Sequence, residues 1–305
     1  FEEANLANDH NLMLMELLEK VARRHDFRIL LHEKPFAGVN GSGKHNNWSL
    51  STDAGRNLLS PKRTVHENLE FLTIVTAVVR ALDLHADILR ASIANAANDL
   101  RLGANEAPPA ILSIFVGHML QNMIDELKSG APIDRAEGST LSLGPNAMPT
   151  IELDAGDRNR TSPFAFTGNK FEFRAVGSQA SVAWPNTVLN TMIAESLDHI
   201  ATRFEEVIKD GMDGAARNEA VRGILADIMQ QHDRVVFNGD NYSDEWKVEA
   251  ARRGMPNLVS TADALPAFST DKAKALFDAE QGRYALVSVT FAESRLADNF
   301  WLQKR

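Results

Sequence analysis

The sequence predicts an α+β fold in two parts, an antiparallel-sheet part over residues 1–184 and a largely helical C-terminal part over residues 185–305. Three observations carry that prediction. Residues 31–53 leave an apolar run, pass glycines at 38, 41 and 43, and resume as alternating apolar and polar positions, the pattern of a turn between strands. Residues 170–174 alternate charge with phenylalanine, which sets Lys170, Glu172 and Arg174 on one face of a strand and Phe171 and Phe173 on the other. From Pro185 onward, Val188, Met192, Ile193, Leu197, Ile200 and Phe204 recur at helical spacing.

Taken in order, residues 5–24 read as an amphipathic helix whose apolar face carries Leu14, Leu17, Leu18, Val21 and Ala22, with Met13 and Met15 as packing residues. Phe27, Ile29 and Leu31 alternate as a strand that Pro35 ends, and residues 48–52 form the return strand. Thr64 and Glu67 have the spacing of a capping box and open a helix through Leu69, Leu72, Val75, Val78 and Leu82. An alanine-rich helix follows over about residues 86–100. The stretch RLGANEAPP, residues 101–109, has no apolar period, which places Arg101 and Glu106 on a loop; its prolines fit the first turn of a helix over 110–128 that Gly130 stops. Residues 131–157 are the loosest part, with Gly, Pro and Ser between short apolar pieces. Beyond the long helix at Pro185, residues 215–232, 243–253 and 270–279 read as helices, and Trp184 and Trp246 as core or interface aromatics.

Composition narrows the class of function. A hydrophobic content of 44% with 24% charged residues is that of an ordinary globular protein. A formal charge of −9 and the lack of long basic runs argue against a nucleic-acid partner. No apolar run reaches the roughly twenty residues that span a bilayer, so no membrane association is expected. The absence of cysteine excludes disulfides and thiolate metal sites, and a cytoplasmic location is expected. The chain starts at Phe1 rather than Met, so a fragment is expected.

The glycine stretch admits two chemical readings. Gly38, Gly43 and Lys44 fit part of a phosphate loop, but His45 stands where that pattern needs Ser or Thr for magnesium. A phosphate loop also runs into a helix, whose first amides hold the anion, whereas NNWSLST reads as a strand. A plain glycine-rich turn with a surface histidine is the bland alternative. The longer pattern is K-P-x-x-x-x-N-G-S-G-x-H with a serine four residues on: Lys34, Pro35, Asn40, Gly41, Ser42, Gly43, His45 and Ser49. It resembles the ATP-binding signature of glutamine synthetases, and HEKPFAGVNGSGKHNNWSL resembles their type III branch. Three further segments follow in the order of that family. RLGANEAP is similar to its arginine-to-glutamate segment, one residue shorter than in the commoner branch; NRTS at 159–162 resembles its Asn-Arg-Ser element; KFEFR at 170–174 resembles its R-[IV]-E-x-R strand.

The resemblance implies a partial glutamine-synthetase-like catalytic domain that joins ammonia to glutamate with ATP as co-substrate, by way of a γ-glutamyl phosphate. It also implies Mg2+ or Mn2+, because phosphoryl transfer needs divalent cations and cationic side chains around the moving group. Carried over residue by residue, His45 and Glu172 would bind the metal. Asn40, Gly41, Arg101 and Arg174 would hold glutamate, guanidinium being suited to bidentate pairing with carboxylates. Glu106 and Arg160 would be catalytic, the first toward ammonium and the second toward phosphate charge, and Ser49 and Lys170 would contact ATP. The family assembles in homo-oligomeric rings. A γ-glutamyl-amine ligase or a non-catalytic regulatory or assembly homologue are the alternatives.

This sequence departs from the family in three ways. Lys170 replaces an arginine, Ala165 replaces the arginine expected five residues beyond the Asn-Arg-Ser arginine, and the family's other metal-binding glutamates fall upstream of its equivalent of Phe1. Residues 281–305 lack the long-helix pattern expected after the helical extension.

Overall fold

A computed structural model describes residues 3–61, 65–104, 107–130, 140–141, 151–152 and 160–281. The elements run α1 (Ala4–Arg24), β1 (Gly43–Trp48), α2 (Val65–Ser92), α3 (Ala96–Arg101), β2 (Ile114–Phe115), α4 (Gly117–Ser129), β3 (Thr140–Leu141) and β4 (Ile151–Glu152). They continue as β5 (Phe164–Phe166), β6 (Phe171–Gly177), α5 (Ala183–Val207), α6 (Gly214–His232), α7 (Asp244–Arg252), α8 (Thr261–Ala264) and α9 (Asp271–Gln281), with 3-10 turns at Asp233–Val235 and Leu265–Ser269. The α+β class stands. The main sheet has the order β1-β6-β5-β2, antiparallel except that β2 runs parallel to β5, so it is mixed rather than purely antiparallel.

α2 is the axis of the fold. It is apolar nearly all round, as a helix covered on every side must be, with Leu72, Val75, Val79, Ile88 and Leu89 fully buried. On one side it meets the phenylalanine face of the sheet. Phe164 stacks on Phe171 at 4.9 Å and stands edge-on to Phe173, while Phe71 of α2 touches Phe166. On its other side it packs against α5 and α6, where Val188, Met192, Ile193, Leu225 and Met229 are buried. Trp48 ties the edge of the sheet to this layer through an indole hydrogen bond to Asn190. Trp246 is buried against Phe237, and Trp184 packs on Phe268 and Phe277. Among the described residues, no helix is long and apolar enough to cross a membrane.

Several sequence expectations fail for identifiable reasons. Residues 27–31 form no strand: Phe27 and Leu30 are exposed, and β1 takes its one neighbour, β6, from far along the chain. The glycine stretch is therefore a loop running into edge strand β1, and the strand begins five residues earlier than predicted. α1 forms, but its apolar face, including Met13, Leu14 and Leu17, lies exposed, so Met13 is not a packing residue.

The predicted break between two helices near residue 85 appears as a kink at His85 (φ −125°, ψ 21°). Beside that kink Leu84 O accepts from Lys272 Nζ, and Ile88 N donates to Asp87 Oδ1. The second helix stops at Ser92, because Asn95 caps a new one, accepting from Ala97 N and Asn98 N. Arg101 is thus the last residue of α3, not part of a loop. Residues 110–116 are buried and not helical, with a short strand at Ile114–Phe115, as befits a β-branched and aromatic run inside the molecule. The next helix waits until Gly117, where Asn238 Oδ1 accepts from the amides of both Val116 and Gly117. The Thr64 cap, Glu106, most of residues 131–157 and residues 282–305 lie outside the described residues.

Candidate active site

The site is built on the pairing of β1 with β6. Asn47 faces Glu172 and Trp48 faces Phe171, and the register then slips: Asn46 faces Phe173 but Lys44 faces Val176. Arg174 and Ala175 therefore stand opposite His45 alone, a β-bulge of the kind that re-aims side chains at functional edges. Across it His45 Nδ1 lies 2.7 Å from Glu172 Oε1. The other carboxylate oxygen, Oε2, accepts from Arg174 Nε at 3.0 Å and Nη2 at 2.8 Å. The hydrogen bond to His45 holds the Glu172 pKa down, to about 2; burial works against it, and the Arg174 hydrogen bonds reinforce it. The carboxylate is thus ionised at any neutral pH, with His45 half exposed at its outer end.

Behind this pair lies a second layer. Arg101 is buried and donates from Nη2 to Arg174 O at 2.8 Å, and from Nη1 to Asn98 Oδ1 and Val176 O. Asn98, fully buried, donates in turn to Ile93 O and Ala175 O. The C-terminus of α3 is in this way fastened to the backbone of β6 at the bulge. Gly43 is required by the same packing, because a Cβ there would lie 2.1 Å from Arg101 Nη2. Burial lowers the pKa of both Arg101 and Lys44, opposed in each case by the nearby charge of Glu33. His45, Glu172, Arg174 and Arg101, which the sequence offers from three separate stretches, form one continuous line.

Of that line, only His45 falls within a matched family model. The model of the glutamine synthetase catalytic domain matches residues 1–82, which include the loop and β1, and that of the glutamine synthetase C-terminal domain matches residues 220–285. The chain is 52% identical over 277 residues to the type-3 glutamine synthetase of Dictyostelium discoideum, an alignment covering 91% of this chain and 37% of that protein. The chain belongs to the glutamine synthetase family. Glutamine synthetases of Bacteroides fragilis (45% over 284 residues) and Butyrivibrio fibrisolvens (46% over 277 residues) align with 92% and 91% of the chain and 38% and 39% of their own lengths. The chain thus spans less than two-fifths of the length of these relatives.

The other residues that the glutamine synthetase resemblance singles out are scattered more widely. Gly41 lies against Arg101, and Asn40 beside it is exposed. Ser49 follows Trp48 and Lys170 precedes Phe171, so the two stand next to each other just past the last pair of the β1–β6 ladder. Arg160 is exposed on the loop before β5, where its carbonyl accepts from Tyr242 and the neighbouring Thr161 Oγ1 accepts from Asn241 N. The structure shows no contact joining Arg160 to the His45–Glu172 pair. Sequence reasoning missed Asn98 and Glu33, both fully buried beside Arg101 and the glycine loop. The signal for Glu33 was a carboxylate set immediately before the Lys-Pro of the motif; for Asn98 no sequence signal exists.

A divalent cation could use the imidazole of His45 and the carboxylate of Glu172, one nitrogen and one oxygen donor of suitable chemistry. Among the described residues no group of three or more His, Asp or Glu side chains comes together to hold a metal ion. By itself the pair would fill only part of a coordination sphere.

Proposed function

We propose that the protein to which this chain belongs joins ammonia to the side-chain carboxylate of L-glutamate, with ATP as co-substrate, through a γ-glutamyl phosphate. A γ-carboxylate oxygen attacks the terminal phosphorus of ATP and ADP leaves. Ammonia then attacks the acyl carbon, loses a proton, and inorganic phosphate departs. The observation that carries this reading is the line His45–Glu172–Arg174–Arg101, which gathers carboxylate, imidazole and two guanidinium groups at the bulge of β1 and β6.

In this reading His45 and Glu172 hold a magnesium or manganese ion, which when bound neutralises phosphate charge. Arg174 and Arg101 hold the carboxylates of glutamate, with Asn40 and Gly41 at its amino-acid end. Arg160 meets the charge of the transferring phosphate. Ser49 and Lys170 hold the nucleotide; the lysine keeps the charge of the family's arginine but not its planar fork. Glu106 takes the proton from ammonium. We further propose a boundary near Trp184 between the catalytic and C-terminal parts, a cytoplasmic location, and a homo-oligomeric ring for the intact protein. The test is glutamine formation from glutamate, ammonia and ATP by the full-length protein, beside the isolated 305-residue chain. Turnover by the full-length protein alone is expected; an inactive full-length protein overturns the reading, and an active isolated chain overturns the dependence on further sequence.

A further inference from the structure

Glu33 is a fully buried carboxylate with no part in the proposed chemistry, and its Oε2 has no hydrogen-bond partner. Such a group is costly to keep unless it does something an apolar side chain could not. Two of its other polar atoms are engaged in fastening. Oε1 accepts from Gln179 N at 3.0 Å, just beyond β6, and the backbone carbonyl accepts from Ser42 N at 2.7 Å, closing the glycine loop on itself. Both glycines beside it leave no room for a side chain, Gly177 against the Glu33 carboxylate and Gly41 against the main-chain carbonyl of residue 33. A Cβ on Gly177 would lie 2.5 Å from Glu33 Oε1, and one on Gly41 would lie 2.5 Å from Glu33 O and 3.0 Å from Arg101 Cγ. The charge of the carboxylate favours the charged forms of Lys44 and Arg101. Lys44 holds the same stretch of chain from the other side, donating from Nζ to Ala180 O.

We infer that Glu33 is a positioning residue that anchors the glycine loop, residues 34–42, to the end of β6 and so sets where Asn40 and Gly41 stand relative to Arg101. Its bearing on glutamate rests on the proposed function; the anchoring itself does not. The carboxylate is suited to this task because it can accept from a backbone amide while its charge draws Lys44 and Arg101 toward the same point. A neutral apolar residue of equal volume would fill the space without fixing the direction of the loop.

The test uses the full-length protein with Glu33→Ala, Glu33→Gln and Gly177→Ala. It follows amide hydrogen exchange in residues 34–43 and 178–180, together with kcat and the KM values for glutamate and ATP. In Glu33→Ala, exchange in these segments and the glutamate KM should each rise about tenfold or more, the scale of one lost charge-assisted hydrogen bond. The ATP KM should stay within about twofold and exchange in α5 and α6 should be unchanged, since neither depends on that bond. Glu33→Gln keeps an acceptor for Gln179 N and should fall between wild type and Glu33→Ala in both readouts, whereas Gly177→Ala, which pushes against Oε1, should move both in the same direction as Glu33→Ala. Should Glu33→Ala fail to fold, Gly177→Ala and Glu33→Gln decide by the same readouts. Folded variants with unchanged exchange in 34–43 overturn the anchor, whatever the kinetics. Raised exchange with an unchanged glutamate KM overturns the positioning role. A wild-type protein that makes no glutamine sinks the functional reading instead, and exchange alone then judges the anchor.

Discussion

Two carboxylates in this molecule have nearly the same partners, but their histidines lie in opposite surroundings. Glu172 meets His45 and Arg174 at the edge of the sheet. Glu195, on α5, meets the buried Arg80 at 2.7 Å and the buried His85 at 3.6 Å in the helical layer, where Arg80 also donates to Ser196. Both are held down to about 2: for Glu195 burial pulls upward, and the nearby His85 together with the hydrogen bonds and charge of Arg80 outweighs it. The histidines differ. The side chain of His45 is 57% exposed and that of His85 is 8% exposed. A depressed carboxylate therefore marks good pairing and not, by itself, a working site. What separates the two is the histidine: His45 stands exposed on edge strand β1, whereas His85 is buried at the kink of α2, even though the Glu195 side chain is 28% exposed against 18% for Glu172.

Three measurements would break or sharpen this contrast. The largest effect is expected from Glu172→Ala in the full-length protein. Its rate of glutamine formation should fall about a hundred- to thousandfold, the scale of one preorganised electrostatic partner, while Glu195→Ala should leave turnover per folded molecule within a factor of about three. Equal losses in the two variants would erase the distinction. Next in size is stability. Glu195→Ala strands the buried guanidinium of Arg80, and denaturant unfolding should show a loss of about 3 kcal/mol; a loss under about 0.5 kcal/mol would mean that Arg80 is satisfied without it.

The smallest effect is in acid. Because the folded-state pKa of Glu195 lies below its ordinary 4.5, its contribution to stability is complete above that pH and disappears as pH falls toward about 2. Between pH 5 and pH 3 the wild-type protein should lose about 2 kcal/mol on this account, and Glu195→Gln should lack that part of the slope. Identical acid limbs for the two proteins would show the carboxylate to be uncoupled from folding.

The sequence makes part of this arrangement legible. The alternation of residues 170–174 foretells which side chains share a face, and Phe171 and Phe173 are indeed fully buried beneath Glu172 and Arg174. The helices α5, α6, α7 and α9 follow their apolar spacing to within a residue or two. What escapes is whatever depends on partners remote in sequence. The strand at 114–115 exists because β5 and the bridge to Val236 receive it, and the following helix begins where it does because Asn238 caps it from more than a hundred residues away. Phe27, Ile29 and Leu31 have the pattern of a strand, but among the described residues no strand pairs with them. Arg101 looks like a loop residue until Asn95 is seen to start a short helix that carries it to the backbone of β6.

The pairing of β1 with β6 has a further consequence, for the order in which the molecule comes into being. His45 and Glu172 are 127 positions apart. At the usual pace of translation, roughly 5–20 residues per second, β1 leaves the ribosome about ten seconds before its neighbour exists. During that interval its backbone amides and carbonyls have no strand to pair with, and Glu33 lacks the amide of Gln179. The helix α2 can form at once from local contacts, but the sheet edge must await a long-range closure that is slow by its topology. A nascent chain stalled before residue 171 would expose an unpaired strand of the kind that invites association with other chains.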